Sequence, residues 1–257
     1  NVAIGNSALG ALNHTTQTDS YNTGVGYAAG AAVTTGIDNT IMGGLAGDAL
    51  TDADQNVAIG RSALTSDTLG SRSVAVGYQT LAFQNFTTAV NSFNTAVGHL
   101  AGNKVTTGIR NTLIGASAGD ALTDADFNVA VGKDALGRDT LGSKTVAIGE
   151  GALAFQNFTT ATDTHNTAVG YDAGGDLTTG AENTFVGALA GDATDDGASN
   201  TSVGYASLRA NAGNDNTAVG ANALASCTGA NNTAVGYAAG LAIGSGGNNL
   251  VLGKDAG

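Results

Sequence analysis

The chain has no proline and no tryptophan, one cysteine, 5% aromatic residues and only 12% charged residues. Each shortage removes a class of structure or function. With so few large side chains a thick globular core cannot be filled, although a thin one built from Ala, Val and Ile can. A single thiol, Cys227, rules out a disulfide framework within the chain and a cysteine-rich metal site. Nine Lys and Arg against 21 Asp and Glu leave a net charge of −12, and the cations look scattered along the sequence. That balance argues against nucleic acid or an anionic membrane surface as partner and suits a soluble, elongated particle. No apolar run reaches the ~18 residues that a membrane-spanning helix needs. The sequence opens on Asn1 with no basic-then-apolar leader, which reads as a piece of a longer chain.

What the sequence has in abundance is glycine, 40 in all, together with 42% apolar residues on a strict period, and that period excludes disorder. A phrase of the form Asn-Thr/Val-Ala-Val/Ile-Gly begins at Asn1, Asn22, Asn39, Asn56, Ser73, Asn94, Asn111, Asn128, Thr145, Asn166, Asn183, Asn200, Asn216, Asn232 and Asn249. The usual interval is 17, lengthened to 21 after Asn1, Ser73 and Thr145 and shortened to 16 after Asn200 and Asn216. Four intervals make a super-repeat, so Asn22, Asn94 and Asn166 stand 72 apart and are equivalent. Fixed short periods are the signature of a solenoid, whose units bury their apolar faces only by stacking. The fold expected is all-β: a parallel β-helix or β-roll of about fifteen coils over residues 1–257, a single repeat domain. At ~4.8 Å per coil it would form a rod of roughly 70 Å.

Positions two and four of the phrase are β-branched in nearly every copy and point to one side of a strand. They are assigned to the coil interior, with Val25, Ile59, Val97, Ile114, Val131, Val169, Val219 and Val235 as core residues. The fifth residue is glycine in every copy, including Gly26, Gly60, Gly98, Gly132, Gly170, Gly220 and Gly236, which predicts a bend at positive φ or a close backbone approach. An eighth residue that is Ala in all but two copies marks a tight inward corner, and the leading Asn suits a ladder between coils. The third residue, on the opposite side, is usually small, but Ile41, Leu113 and Phe185 stand 72 apart. That pattern predicts a dry contact with other copies of the chain, in a homotrimer packed along its length.

The phrase as it stands in Asn232–Gly240 and Asn56–Gly60 resembles the head repeats of trimeric autotransporter adhesins and related repeats of bacteriophage tail fibres, over essentially the whole chain. The resemblance implies a left-handed parallel β-roll that is trimeric, extracellular and used for attachment to a host-surface glycan or protein, without catalysis and without insertion into a membrane. The coil lengths here, 16, 17 and 21, exceed that of the family's repeat.

Candidate sites are few. The longer coils carry Phe83, Phe86, Phe93, Phe155 and Phe158 in segments expected to protrude, as ligand-contact loops or as wedges between subunits. Those segments also hold Asn-x-Thr at Asn13, Asn85 and Asn157, the pattern of a glycan acceptor. Asp52, Asp54, Asp124 and Asp126 cluster on turns and could hold Ca²⁺, although the spacing matches neither the EF-hand nor the calcium-roll pattern and a solvated acidic turn is the ordinary reading. No other cofactor is expected. His14, His99 and His165 have no acid or nucleophile at a repeated spacing, and no phosphate-binding glycine loop occurs. Attachment fibre is therefore the leading functional expectation. A self-associating filament and an ice-binding solenoid follow. Ice binding would need a broad threonine array on an exposed face, whereas the threonines of position two are assigned inward.

Overall fold

The computed structural model describes residues 1–257, which form two compact units, Asn1–Asn128 and Val129–Gly257. The fold is all-β with no helix, a parallel β-solenoid of about fifteen turns. In the first unit the short strands Val2–Ile4, Thr23–Val25, Thr40–Met42, Val57–Ile59, Val74–Val76, Thr95–Val97 and Thr112–Ile114 pair in parallel, each with the next. In the second, Val129–Val131, Val146–Ile148, Thr167–Val169, Thr184–Val186, Thr201–Val203, Thr217–Val219, Thr233–Val235 and Leu250–Leu252 do the same. The register matches the phrase residue for residue. Val97 lies beside Ile114, and Val131 beside Ile148. The longer interval does not disturb this, because Val76 still faces Val97. The surplus is absorbed by a second short pairing, Gly70–Ser71 with Val90–Asn91 and, in the other unit, Gly142–Ser143 with Thr162–Asp163.

The inside and outside of the strands are the reverse of the expectation. The third residue is the buried one. Ala58, Ala75, Ala96, Ala130, Ala147, Ala168, Ala218 and Ala234 are fully buried, and so are Ile41, Leu113 and Phe185, which are therefore core residues and not a contact between chains. Val25, Ile59, Val97, Val131 and Val219 are only half-buried, while Ile114, Val169 and Val235 are exposed, Ile114 to 39% and Val235 to 40%. The reason is parity. Successive strand residues alternate sides, so the third residue shares its side with the leading Asn, and the Asn must point in. Asn39 Oδ1 accepts the backbone N–H of Asn56 at 2.9 Å, and its Nδ2 donates to the carbonyl of Ala53 at 2.8 Å. Asn94 repeats this with Asn111 N–H and the Gly108 carbonyl. The asparagine ladder thus ties side chain to backbone from turn to turn, with direct side-chain bonds such as Asn39 to Asn22 added in places. A buried amide cannot be left unbonded, so the amide fixes the face and the β-branched residues take the other.

A narrow interior shares its volume between the third and ninth positions of a turn and its neighbours. Where the third residue is large the ninth is glycine: Ile41 with Gly47, Leu113 with Gly119, Phe185 with Gly191. A Cβ on Gly191 would stand 2.5 Å from the Phe185 ring. Where the third residue is Ala, a buried Leu fills the ninth position in Leu64, Leu81, Leu136, Leu153 and Leu224, or the ninth is glycine, as in Gly102, Gly174 and Gly240, and a large side chain of a neighbouring turn takes the space, Leu113 and Leu81 lying 2.7 and 2.9 Å from a Cβ on Gly102. Each such side chain contributes roughly 1.5–3 kcal/mol by its removal from water. The motif glycines behave as expected, with φ between +129° and +146° for Gly26, Gly60, Gly98, Gly132, Gly170, Gly220 and Gly236. They also stack: a Cβ on Gly26 would lie 2.6 Å from the Gly43 carbonyl oxygen. The eighth-position alanines are buried inward corners, as expected.

Candidate functional site

Reversal of the faces leaves an uncharged strand surface pointing outward in each unit. One column is position two: Thr at 23, 40, 95 and 112 of the first unit and at 167, 184, 201, 217 and 233 of the second, with Val at most of the rest. The neighbouring column is position four, a large aliphatic in every turn. Because each side chain is flanked above and below by its equivalent at strand spacing, only its outer surface is open. This leaves a flat, regular strip of methyl groups and hydroxyls without a single ionisable group. Beyond the turn glycine, Tyr27, Tyr78, Tyr171, Tyr205 and Tyr237 stand exposed along one margin. Tyr78 stacks on His99 at 5.4 Å, and the Arg61 guanidinium lies 6.0 Å from the Tyr78 ring. His99 is thus an element of a surface stack.

The longer turns divide the five phenylalanines. Phe83, Phe93 and Phe155 are exposed, whereas Phe86 and Phe158 are 5% and 8% exposed and belong to the interior, which corrects their assignment to contact loops. They are drawn in by carboxylates that the sequence reading overlooked. Asp67 is fully buried, accepts the backbone N–H groups of Gly70 and Phe86 at 3.0 Å each, and takes a third bond from Gln84 Nε2 at 2.5 Å. Gln84 Nε2 also donates to Ser73 Oγ at 2.8 Å and its Oε1 accepts from Asn94 Nδ2 at 2.9 Å. Asp139 repeats the arrangement with Gly142, Phe158 and Gln156, and Gln156 binds Thr145 and Asn166. The two departures from the leading Asn, Ser73 and Thr145, are therefore explained: a glutamine amide from the longer turn enters the ladder, and a short hydroxyl makes room. The repeat of Asp and Gln at an interval of 72 was a visible signal for this network.

The candidate cation ligands spend their oxygens on the neighbouring turn. Asp52 accepts from Thr35 Oγ1 and Asp124 from Thr107 Oγ1, while Asp54 and Asp126 accept the backbone N–H groups of Ile37 and Ile109. No group of three or more His, Cys, Asp or Glu comes together as a metal site. Asn85 and Asn157 are exposed but accept bonds from Thr68 and Thr140. Cys227 is buried, and burial pushes its thiol up from the ordinary value. In the second unit a cleft of about 210 Å³ is lined by Ala154, Phe155, Asp172, Gly175, Asp176 and Asp192, and the Arg138 guanidinium lies 3.8 Å from the centre of the Phe155 ring. Asp192 is raised above the usual carboxylate range, chiefly by burial, against the pull of Arg209 at 3.8 Å. His14 and His165 join no acid or nucleophile. No helix is long and apolar enough to cross a membrane.

These features define a class: a parallel β-solenoid that presents a flat threonine–aliphatic face. Comparison with family models, with curated proteins and with solved structures finds no match for the chain.

Proposed function

We propose that the chain is a non-catalytic, extracellular fibre subunit in which the threonine–aliphatic face joins copies of the chain, leaving the margins and longer turns to touch a host-surface glycan or protein. One observation carries the reading: in each unit a column of large aliphatics, free of charge, lies on the outside of a chain whose net charge is −12. Copies of so acidic a chain repel one another over most of their surface, and the uncharged face is where they can approach. Each turn offers roughly 50 Å² of this face, from a ~4.8 Å rise and two side-chain columns. The seven turns of the first unit give about 350 Å² and the eight of the second about 400 Å², against ~800 Å² per partner in a stable interface. Three copies give the arrangement implied by the resemblance to trimeric adhesin heads and tail fibres. Attachment then works by repetition: weak contacts on several chains gain apparent strength through effective concentration.

Light scattering on the purified chain tests the assembly. Three times the 24.9 kDa chain mass is expected, and Ile114→Lys should shift it toward one. A single-chain mass for the unaltered protein overturns the fibre reading.

A second reading has its own support, because the threonine column lies outward rather than inside. A flat face of regularly spaced hydroxyls and methyls suits an ordered water lattice, hence ice binding. Thermal hysteresis from a monomeric chain would select this reading, and its absence in a trimer would exclude it. Elongation beyond a trimer would instead identify a self-associating filament, visible by electron microscopy.

A further inference from the structure

The residue just before each leading Asn sits at a corner of the turn, outside the strand. In the first unit this column runs Gln55, Arg72, Phe93, Arg110, Phe127, all exposed and all with φ between +52° and +62°. Left-handed backbone costs a side chain with a Cβ roughly 1–2 kcal/mol, and asparagine and aspartate bear it best. The same corner is Asp38, Ser199, Asp215, Asn231 or Asn248 in five other turns, and Tyr21, Lys144, His165 or Glu182 in four more. Nothing in the fold asks for bulk here, yet this stretch alternates guanidinium and phenyl groups. The Arg72 guanidinium lies 5.6 Å from the centre of the Phe93 ring, and that of Arg110 lies 5.2 Å from that of Phe127. Arg72 Nε donates to Gln55 Oε1 at 2.9 Å, and neither arginine pairs with a carboxylate, although acids outnumber bases more than two to one in the chain. The rings remain 44% and 42% exposed. Sequence order hid the stripe, because Arg72 and Arg110 are far apart along the chain and only the unequal intervals of 21 and 17 bring them into one column.

We infer that the Arg72–Phe93–Arg110–Phe127 column is a binding strip for a carboxylate-bearing polysaccharide. The guanidinium fork matches a carboxylate in two hydrogen bonds, and a phenyl ring offers a flat apolar surface to the C–H face of a sugar. Arginine recurs at every second turn, a distance of ~9.6 Å from the strand spacing, and so does phenylalanine. The strip therefore repeats as a charged point and a stacking plane, which fits a glycan bearing its acid on alternate sugars. A nucleic acid fits less well: its phosphate on every nucleotide meets two arginines on a chain of net charge −12. The inference deepens the attachment reading by naming the ligand chemistry and the residues that meet it.

The test is calorimetric titration of the whole chain with a hyaluronan oligosaccharide, with its carboxyl-reduced form and with single-stranded oligothymidylate. Binding of the acidic sugar alone is expected. Arg72→Gln with Arg110→Gln should weaken it by about tenfold or more, as loss of charge-assisted bonds does. Phe93→Ser with Phe127→Ser should weaken it as well. Both pairs should leave the melting temperature unchanged, since Gln55 and Ser199 already occupy this corner. The inference is overturned if the acidic oligosaccharide does not bind, if the reduced form binds as well, if the variants bind like the parent, or if the oligothymidylate binds more tightly. Its failure would leave the trimer mass untouched, so it is distinguishable from failure of the fibre reading.

Discussion

Two kinds of turn are built into this solenoid, and they close the same interior by opposite chemistry. In most of the shorter turns the inward residue eleven places after the phrase start is aliphatic, as in Val33, Leu50, Val105, Leu122 and Leu177. In the 17-residue turn before the longer interval from Ser73, and in that longer turn itself, the same position is polar and fully buried, as Asp67 and Gln84, and Asp139 and Gln156 repeat this around the interval from Thr145. The aliphatic version is held by packing alone. Four extra residues in a turn bring extra backbone N–H groups with them, and these need acceptors once they are out of water. The buried aspartate supplies two such acceptors and the glutamine links them to the asparagine ladder. The lesson is that an irregular turn fits a regular stack when its surplus hydrogen bonds are satisfied internally, at the expense of one apolar layer.

The comparison can be broken from either side. The largest effect is expected for Phe185→Ala in a short turn, about 3–5 kcal/mol for a phenyl group lost from a fully buried site. Adding Gly191→Leu should recover more than half, because the three atoms nearest a Cβ on Gly191 all belong to the Phe185 ring, and Leu at this corner adopts φ of +49° to +54° elsewhere against +63° for Gly191. Urea unfolding of the two variants reads the recovery, and its absence would mean that volume is not exchanged between the third and ninth positions. Next to the longer turn of the second unit, Asp139→Leu brings back an aliphatic layer but orphans the N–H groups of Gly142 and Phe158. A loss of roughly 2–4 kcal/mol is expected from the unmet donors, with Phe158 becoming accessible to quenchers. An unchanged midpoint would show that the polar layer is incidental. A smaller effect, about 1 kcal/mol, is expected for Ser202→Ala. Ser202 and Ser207 share a 2.6 Å hydrogen bond in the core where other turns have two alanines. The double change to Ala, which restores that common pair, should be close to neutral.

Periodicity carried most of the fold. The rungs, their parallel register, the positive φ of the glycines and the inward alanine corner all follow from spacing and residue type. The inward face does not follow from hydrophobicity, because strand parity decides it. Val and Ile suit an interior by residue type, but the leading Asn and the third residue necessarily share a side, and a lumen filled by Ala, Leu and Asn has no room for a second β-branched column. The periodic Ile41, Leu113 and Phe185 were visible, but their meaning lay in Gly47, Gly119 and Gly191, six places on. The candidate surfaces were less legible. Phe86 and Phe158 read as exposed loop residues in the sequence, whereas their N–H groups are held by the buried carboxylates of Asp67 and Asp139. The arginine–phenylalanine column emerged only once intervals of 17 and 21 had been wound onto one axis.

The smallest effect concerns a carboxylate whose neighbour differs between two equivalent turns. Asp48 and Asp192 occupy the same place, two super-repeats apart. Thr65 Oγ1 donates to Asp48 Oδ1 at 2.5 Å. One turn beyond Asp192 the equivalent residue is Arg209, 3.8 Å away on the half-open surface, and the buried Oδ1 of Asp192 has no hydrogen-bond partner. Burial is the first cause of the raised proton affinity of Asp192. Arg209 opposes it, and Asp176 and Asp172 add to it. A carboxyl that holds its proton more tightly in the folded chain than in the unfolded one supports folding while protonated. That support is complete below the unfolded pKa and is lost as pH rises through the folded one. Asp192→Asn, which stays neutral, should therefore raise the melting temperature slightly at pH 7, and the gain should shrink as the solution is acidified toward the ordinary carboxylate range of about 4. Asp48→Asn should lower the melting temperature at neutral pH, since it weakens an acceptor already in use. Equal responses of the two variants across that titration would mean that the hydroxyl and the guanidinium partner are interchangeable, and that the two turns do not differ where their sequences do.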